Sequence, residues 1–420
     1  MSAPGPAPDA EPVEPSPGAP RVRRPSGGIG GAWRSLPRPL RVWGPFLVLA
    51  SLAILYPYYE ESLGDWFPSM ATATTMTVFV MMALGLNVVV GYAGLLDLGY
   101  VAFYAAGAYV IGWFASGHFA QRNIHFGDFD VPVVVPGIHI SPWLIFIAAG
   151  TFAALLGVII GLPTLRLRGD YLALVTLGFG EIIPQVVRNS DDFLGTGFNL
   201  TNGPNGLTPI DPLGFGSDIN GVFSFLPQSA YTADNPDWMY YWVGLGLVAL
   251  TLGCSIMLRD SRLGRAWVAI REDEIAASAM GVPLMRVKTL AYLIGAFIGG
   301  VAGGFYAVYK GSTFPADFYL NVSIFILCMV ILGGMGNVWG VTLGAMFLSW
   351  LNFEGLARIG TEFNETAGTS IEVPKYQFLV FGVIIVATML FRPQGLIPSQ
   401  RRQAEFEHAA ADIETGQVVR

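Results

Sequence analysis

Long runs of apolar residues alternate with short polar stretches over most of this sequence. The apolar runs lie at residues 43–59, 70–90, 94–115, 143–163, 170–187, 239–258, 288–309, 321–335, 338–353 and 377–391. A helix needs roughly 20 apolar residues to cross the hydrocarbon core of a bilayer, where every backbone polar group must be hydrogen bonded within the protein. The pattern therefore predicts an all-α polytopic membrane protein with about 8–10 transmembrane helices, some of them broken or re-entrant.

The composition fits a membrane location and argues against several other classes of protein. Apolar residues make up 53% of the chain and charged residues 13%, whereas soluble domains carry about 25% charged residues. Cys254 and Cys328 lie alone in apolar runs, which is typical of buried thiols. The sequence has no basic stripe, no GxxxxGKS or GxxxxGKT loop, no HExxH or GxSxG motif, and no cluster of His or Cys. We expect a protein that is not an enzyme and that binds neither nucleic acid nor a cofactor.

The distribution of basic residues predicts how the chain is oriented. If every apolar run crosses the membrane, five of the 23 Lys and Arg residues lie outside, namely Arg122, Arg188, Lys310, Arg358 and Lys375. Basic residues concentrate on the cytoplasmic side of membrane proteins. Both termini are therefore predicted to be cytoplasmic.

Three parts of the chain follow from this pattern. We expect residues 1–42 to form a disordered, Pro-rich cytoplasmic tail, residues 43–398 the transmembrane domain, and residues 399–420 a cytoplasmic C-terminal tail. The long external stretches are 116–142, 188–238 and 354–376. The loop 188–238 is rich in Gly, Pro, Asn and Asp, which predicts compact turns rather than a helix.

The cytoplasmic segment 260–288 carries signals for a short helix that lies across the membrane surface. The acidic residues 272–274 suit a helix start, because acidic side chains stabilise helix N-termini, and Gly281 with Pro283 suits its stop. By itself, such a segment is by default an ordinary amphipathic linker.

Glycines surround Asp97 near the boundary of the second and third apolar runs. They are Gly91, Gly94 and Gly99, and because glycine costs about 1 kcal/mol in a helix interior, they predict a broken helix or a tight cytoplasmic turn. Asp97 is then either the N-cap of the following helix, which is the commoner role, or part of a pathway that meets a polar group of a substrate.

An acidic residue, Glu181, lies within the fifth apolar run. Its spacing places it on one helical face with Gln185 and Arg188, beside Pro184, which removes a backbone hydrogen bond. Because an unpaired acid is costly within a membrane, such a residue is either functional or hydrogen bonded to another helix. Both alternatives stay open.

Overlapping GxxxG spacings follow the cytoplasmic segment and include Gly295, Gly299 and Gly303. Small residues at this spacing let helix backbones approach closely. The partner helix can belong to this chain or to a second subunit, and the sequence favours neither.

A family resemblance is carried by several of these stretches. Glu274, Ala276, Ala277 and Gly281 resemble the Glu-Ala-Ala and Gly pattern of the coupling loop in ABC importer permeases. Further stretches resemble, in the same order, the signatures of the branched-chain amino-acid permease family of the LivM type, in the LivH/LivM superfamily. They are LGLNVVVGYAGLLDLGYVAFYAAGAY (84–109), RGDYLALVTLGFGE (168–181), NGPNGL (202–207), ILGGMGNVWG (331–340) and RPQGLIP (392–398). Together they span most of residues 70–398.

The resemblance implies a permease subunit of an ATP-driven importer in the bacterial cytoplasmic (inner) membrane. It implies four further partners: a second, related permease subunit in a heterodimer, two cytoplasmic ATP-binding subunits that use the ATP, and an external solute-binding protein. Branched-chain amino acids are the expected substrates, and urea, short amides or other amino acids are the alternative.

The resemblance also assigns roles to residues. Glu274, Ala276, Ala277 and Gly281 would dock on an ATPase subunit. The candidate pathway residues are Asp97, Glu181 and Gln185, from their positions in the apolar runs, and Tyr100, from the resemblance. Many members of the family carry His where this chain has Tyr100, so a role that relies on that His does not transfer.

Two alternatives belong to other classes of transport protein. An ion-coupled secondary transporter would use Glu181 or Asp97 as its proton or cation site and would work without an ATPase. The segment 260–288 counts against it. A passive channel would conduct without ATP or a coupled gradient, and the sequence has no repeated filter motif for one.

Overall fold

The computed structural model describes residues 51–397, except for residues 63, 65, 127–135, 168, 193–194, 214–235, 369, 371 and 393–394. The tails expected at residues 1–42 and 399–420, and most of the first apolar run, lie outside the described residues. The chain divides into two units, Met1–Leu55 and Tyr56–Arg420. In the first unit, the described residues 51–55 are helical.

The second unit is built almost entirely of helices. In its described part these are α1 (Met70–Leu86), α2 (Val101–Phe114), α3 (Pro142–Thr164), α4 (Asp170–Arg188), α5 (Pro236–Asp260), α6 (Arg262–Glu272), α7 (Glu274–Ala279), α8 (Leu284–Lys310), α9 (Leu320–Gly333), α10 (Val338–Trp350), α11 (Leu356–Ala367) and α12 (Gln377–Phe391). Stretches of π-helix, Asn87–Tyr92 and Leu351–Gly355, extend α1 and α10. Short 3₁₀ turns lie at Glu60–Ser62, Gly117–Phe119, Gly203–Asn205, Pro315–Phe318 and Val373–Tyr376.

The helix lengths confirm an all-α polytopic membrane protein. Within the described residues, six helices are long and apolar enough to cross a bilayer: Met70–Tyr92, Pro142–Thr164, Tyr171–Arg188, Asp237–Asp260, Leu284–Lys310 and Val373–Phe391. The helices α2 and α9 are apolar but shorter. Most helix ends fall within a few residues of the ends of the predicted apolar runs.

Helix α8 lies at the centre of the packing, against α1, α2 and α3. Its glycines make this possible. The backbone of α2 at Gly107 meets the carbonyl of Gly300, so closely that a Cβ on Gly107 would clash with it. Because lipid tails are as apolar as Leu, helices in a bilayer associate through such close contact rather than through the hydrophobic effect.

The predicted break around Asp97 is present. The chain leaves the π-helical end of α1 at Tyr92, turns through Gly94 at a φ of 69°, and enters α2 only at Val101. The apolar run at 94–115 therefore begins as a turn, and only its second part is helical.

The region after residue 353, where the predicted external stretch 354–376 begins, is helical. Helix continues from α10 through Leu351–Gly355 into α11. Two charged residues form an ion pair there: Arg358 donates a hydrogen bond to Glu354, four residues earlier, at 3.1 Å. Glu354 also accepts a hydrogen bond from the backbone of Ser69 at 2.9 Å. The helix therefore continues beyond the end of the apolar run.

A small sheet lies at the opposite end of the unit from α6 and α7. Its strands are β1 (Ala115–Ser116), β2 (Ile124–Phe126) and β3 (Ile138–Ile140), in the order β1-β3-β2, with β1 antiparallel and β2 parallel to β3. The described part of the loop 188–238 folds as turns, as predicted, and Leu207 pairs with Thr313 through two backbone hydrogen bonds.

Candidate functional site

The predicted short helix of segment 260–288 is α7, and both of its ends are capped by side-chain or backbone groups. Asp273 accepts hydrogen bonds from the backbone N–H groups of Ile275 (2.8 Å) and Ala276 (3.0 Å), which α7 itself leaves unsatisfied. At the other end, Gly281 has a φ of 86° and donates to Ser278 at 3.0 Å. This left-handed glycine stops the helix, because other residues adopt that conformation only with strain.

A second helix, α6, precedes α7 and anchors it to the membrane part of the molecule. The Trp267 side chain is fully buried, stacks on Tyr92, and donates from Nε1 to the carbonyl of Val287 at 2.8 Å. Tyr92 ends the π-helical extension of α1, and Val287 lies in the first turn of α8. Motion of α6 is therefore tied to the ends of two membrane helices.

The four predicted coupling residues divide into inward and outward groups. Ala277 is buried, and Glu274 forms an ion pair with buried Lys288 at 2.8 Å, so both hold α7 against α8. Ala276 is exposed, and Gly281 forms the turn.

Two exposed apolar side chains were missed by the sequence reading. Ile275 is 72% exposed and Met280 is 86% exposed, on either side of Ala276. We call Ile275, Ala276 and Met280 the coupling surface. The signal was present in the sequence: large apolar residues on a short polar helix have no place in this chain's own core.

Arg271, at the end of α6, connects this region to the broken end of α1. Its Nη1 donates to the carbonyl of Gly91 at 2.6 Å. In the same π-helical stretch, Asn87 accepts a hydrogen bond from the backbone of Gly336 at 2.9 Å. This bond connects the turn between α9 and α10 to the end of α1. Single π-helical turns inside α-helices are often found at functional sites. The sequence reading missed Arg271, because its partner is a backbone carbonyl 180 residues away.

Asp97 lies in the turn before α2 and is buried. The predicted N-cap role of Asp97 is wrong, because α2 begins at Val101 and its N-cap is Tyr100. One carboxylate oxygen of Asp97 accepts from the backbone of Gly99 at 2.8 Å within the turn, but Oδ2 has no hydrogen-bond partner among the described residues. The hydroxyl of Tyr292 on α8 likewise lacks a partner there. Both residues line a cavity of about 10 Å³, together with Thr176 and Phe179 of α4. This is about the space that one water molecule needs.

Tyr100 is part of the packed core. Its side chain is fully buried, and its hydroxyl donates to the carbonyl of Gly295 on α8 at 2.9 Å. A Cβ on Gly299 would contact the same hydroxyl, and one on Gly303 would clash with the carbonyl of Tyr104. The three glycines that were expected to pack helices thus lie against α1 and α2 of this chain.

Glu181 and Gln185 lie on the exposed face of α4. The opposite face packs on the turn that holds Asp97: the hydroxyl of Thr176 accepts from the backbone of Leu98 at 3.1 Å. Within the described residues, Glu181 forms no ion pair or hydrogen bond. The candidate pathway residues are therefore not brought together, because Asp97 and Glu181 lie on different sides of α4.

Two histidines, one on β2 and one on β3, meet at the small sheet. The rings of His125 and His139 stack with centroids 4.8 Å apart, and buried His139 bonds Asp211 through Nδ1 at 2.8 Å. The sequence reading found no clustered His, since pairing of β2 with β3 creates the contact. Across the described residues, no group of three His, Cys, Asp or Glu side chains could hold a metal ion.

Comparison with known proteins gives consistent matches over this fold. A family model for the permease component of branched-chain amino acid transport systems matches residues 70–389. The chain is 37% identical over 376 residues to the high-affinity branched-chain amino acid transport system permease protein LivM of Escherichia coli (strain K12), covering 87% of this chain and 77% of the relative.

More distant relatives extend the match. A probable LivM permease of Methanocaldococcus jannaschii is 26% identical over 338 residues, covering 77% of this chain and 91% of the relative. The high-affinity permease protein LivH of Salmonella typhimurium is 25% identical over 339 residues, covering 76% of this chain and 94% of the relative. No solved structure matches the chain.

Proposed function

Because this chain belongs to the family of permease components of branched-chain amino acid transport systems, we propose that it is one membrane subunit of an ATP-driven importer of these amino acids. Its relatives include both LivM and LivH proteins, which supports a pair of related permeases. In this proposal, two ATP-binding subunits sit on the cytoplasmic side, and an external binding protein delivers leucine, isoleucine or valine. The membrane is the bacterial cytoplasmic membrane.

The observation that carries this proposal is the coupling surface. Ile275 and Met280 expose most of their apolar area beyond the membrane part of the chain, although burial of such side chains is favourable by about 1.5–3 kcal/mol each. Contiguous exposed apolar patches, rather than single apolar side chains, mark sites of protein–protein contact, and we propose that Ile275, Ala276 and Met280 belong to such a patch. An ATP-binding subunit whose groove receives α7 would bury them.

The contacts behind the coupling surface provide a route for mechanical work. A push on α7 reaches α8 through the ion pair between Glu274 and Lys288, and α6 passes it on through Trp267. Arg271 extends the route to the π-helical end of α1. Since α8 is the most extensively packed helix, its displacement would shift α1, α2 and α3 together.

The experiment is uptake into proteoliposomes that contain the whole assembly, with the binding protein added outside and ATP enclosed. We expect uptake of radiolabelled leucine to require ATP and the binding protein and to survive ionophores that remove ion gradients. Uptake by this chain alone under a proton or sodium gradient would identify a secondary transporter instead. ATP-dependent uptake of urea without uptake of leucine would contradict the proposed substrate but not the proposed coupling to ATP hydrolysis.

A matched pair of variants tests the coupling surface itself. Met280→Ala should lower ATP-driven uptake by roughly 10-fold, the loss expected for one well-buried contact at an interface. Met257→Ala on α5 is the control, because Met257 is also exposed (76%) but lies within a membrane span. Equal uptake by the two variants, at equal amounts of protein in the membrane, would argue against docking at α7.

A further inference from the structure

The exposed face of α4 has a chemistry that lipid cannot satisfy. Leu174, Gly178, Glu181 and Gln185 follow one another at spacings of four, three and four residues, which places them on one side of the helix. We call these four residues the α4 face. Only 28% of the α4 span is buried within this chain, so the face points away from the packed core.

Glu181 is close to the middle of the helix. It lies eleven residues after Asp170, which is about 16 Å along an α-helix, and seven residues before Arg188, about 10 Å. Acidic residues at this depth are rare, and they face protein or water rather than lipid tails. Among the described residues, the side chain of Glu181 has no ion-pair or hydrogen-bond partner, so its carboxylate is available to a group of another subunit.

Gly178 leaves a gap between the larger side chains of the α4 face, which also carries the charge of Glu181. A Cβ added to Gly178 would meet no atom within 4 Å, so packing among the described residues does not require this glycine. The glycines of α8 are different, because their neighbours would clash with an added Cβ. A small residue on an outward membrane face lets a second helix backbone approach closely.

We infer that the α4 face is the surface on which the second, related permease subunit packs. Glu181 and Gln185 contact polar groups of that subunit at the interface. The inference rests on the proposed function for the existence of that subunit. It adds the place of contact and the chemistry of the partner, which must present hydrogen-bond donors to Glu181 at mid-membrane depth. A relative is the occupant because proteins named LivM and LivH both match this chain, as two distinct members of one family.

Site-specific photocrosslinking in the assembled transporter tests the contact. A benzophenone amino acid replaces Leu174 on the α4 face or, as a matched control, Leu379 on α12. These leucines are 65% and 63% exposed, and each begins a series with the same helical spacing. After irradiation in native membranes, we expect an adduct between this chain and the second permease, identified by mass spectrometry, in several-fold higher yield from position 174.

Each other outcome of the crosslinking counts against the inference. Equal yields from the two positions, or no adduct from position 174 in a complex that still contains both permeases, would overturn it. An adduct between two copies of this chain would overturn the assignment to a distinct subunit. Loss of leucine uptake in the unmodified assembly would instead contradict the proposed function, and the adduct is measured independently of uptake.

Substitution of Glu181 provides a second measurement. Glu181→Leu should lower the amount of second permease that co-purifies with this chain by ~10-fold, as expected for a lost hydrogen bond to a charged group. Glu181→Gln keeps the shape and part of the hydrogen bonding and should lose less. If Glu181 faced lipid, Glu181→Leu would leave co-purification unchanged and raise the thermal stability of the complex, which would refute the inference.

Discussion

Helices α4 and α12 are both apolar membrane spans that this chain leaves largely uncovered, yet their outward faces differ in chemistry. The outward face of α12 carries Leu379, Val383, Val386 and Leu390 at the same spacing as the α4 face. Only 6% of the span that includes α12 is buried, against 28% for α4. Both spans are mostly exposed in the described part of the chain, and the clearer difference between them is the chemistry of their exposed side chains.

The difference separates two kinds of surroundings. The exposed residues of α12, which also include Phe378, Gly382 and Met389, carry no charged or hydrogen-bonding side chain, so lipid tails can surround this face, and we assign α12 to the lipid boundary. A face with Glu181 and Gln185 requires hydrogen-bonding groups at the same depth. Two helices with similar exposure thus have different neighbours, one lipid and the other protein.

The largest effect is expected where a substitution reaches the packed interior. Gly303→Val on α8 should destabilise the chain by more than about 4 kcal/mol, because the new side chain meets the backbone of Tyr104. Gly178→Val on the α4 face should change the stability of the isolated chain by less than about 1 kcal/mol, the usual range of helix propensity. Thermal unfolding in detergent measures both.

Gly178→Val then sharpens the comparison in the complex. The variant should bind less of the second permease, although the isolated chain is intact. Similar unfolding temperatures for the two glycine variants would contradict the distinction between an inward and an outward glycine.

The next effect follows from moving the charge from one face to the other. Val386 on α12 occupies the position that Glu181 occupies on the α4 face. Val386→Glu should oppose membrane insertion by about 2.5–3.5 kcal/mol, the range for a charged residue at a helix centre. The amount of folded protein in membranes provides the measurement. Normal insertion and yield would show that α12 is covered by protein or water rather than by lipid.

The smallest effect concerns size alone. Leu379→Ala on α12 should change stability by less than about 0.6 kcal/mol, because one exposed Leu contributes no more than this to insertion. Leu174→Ala should be equally mild in the isolated chain but should reduce co-purification of the second permease. Titration of the two variants with the partner permease, followed by size-exclusion chromatography, checks the difference.

Much of the fold could be predicted because the membrane permits few solutions. Apolar runs of sufficient length, such as 70–90 and 377–391, became helices with nearly the predicted ends. The cap at Asp273 and the left-handed glycine at Gly281 were also readable, since both act within one helical turn. The continuation of α10 into α11 was not, because a drop in hydrophobicity resembles a loop.

The candidate site was only partly readable for a related reason. Glu274 and Ala277 were identified by pattern, but their inward orientation depends on Lys288 and on the packing of α7 against α8. The exposure of Ile275 and Met280 becomes evident only in the folded structure, where neither side chain is part of the core. The hydrogen bond from the Tyr100 hydroxyl to the carbonyl of Gly295 could not be predicted, because the two residues are 195 positions apart in the sequence.

By itself, the sequence determined the membrane class, the helix segments and the local caps, because these depend on hydrophobic length and on hydrogen bonds between near neighbours. The tertiary structure decided which side of each helix is inside. It paired Arg271 with Gly91, stacked His125 on His139, and left Glu181 facing outward. Such outcomes depend on how distant segments fill one volume, a constraint that local spacing does not contain.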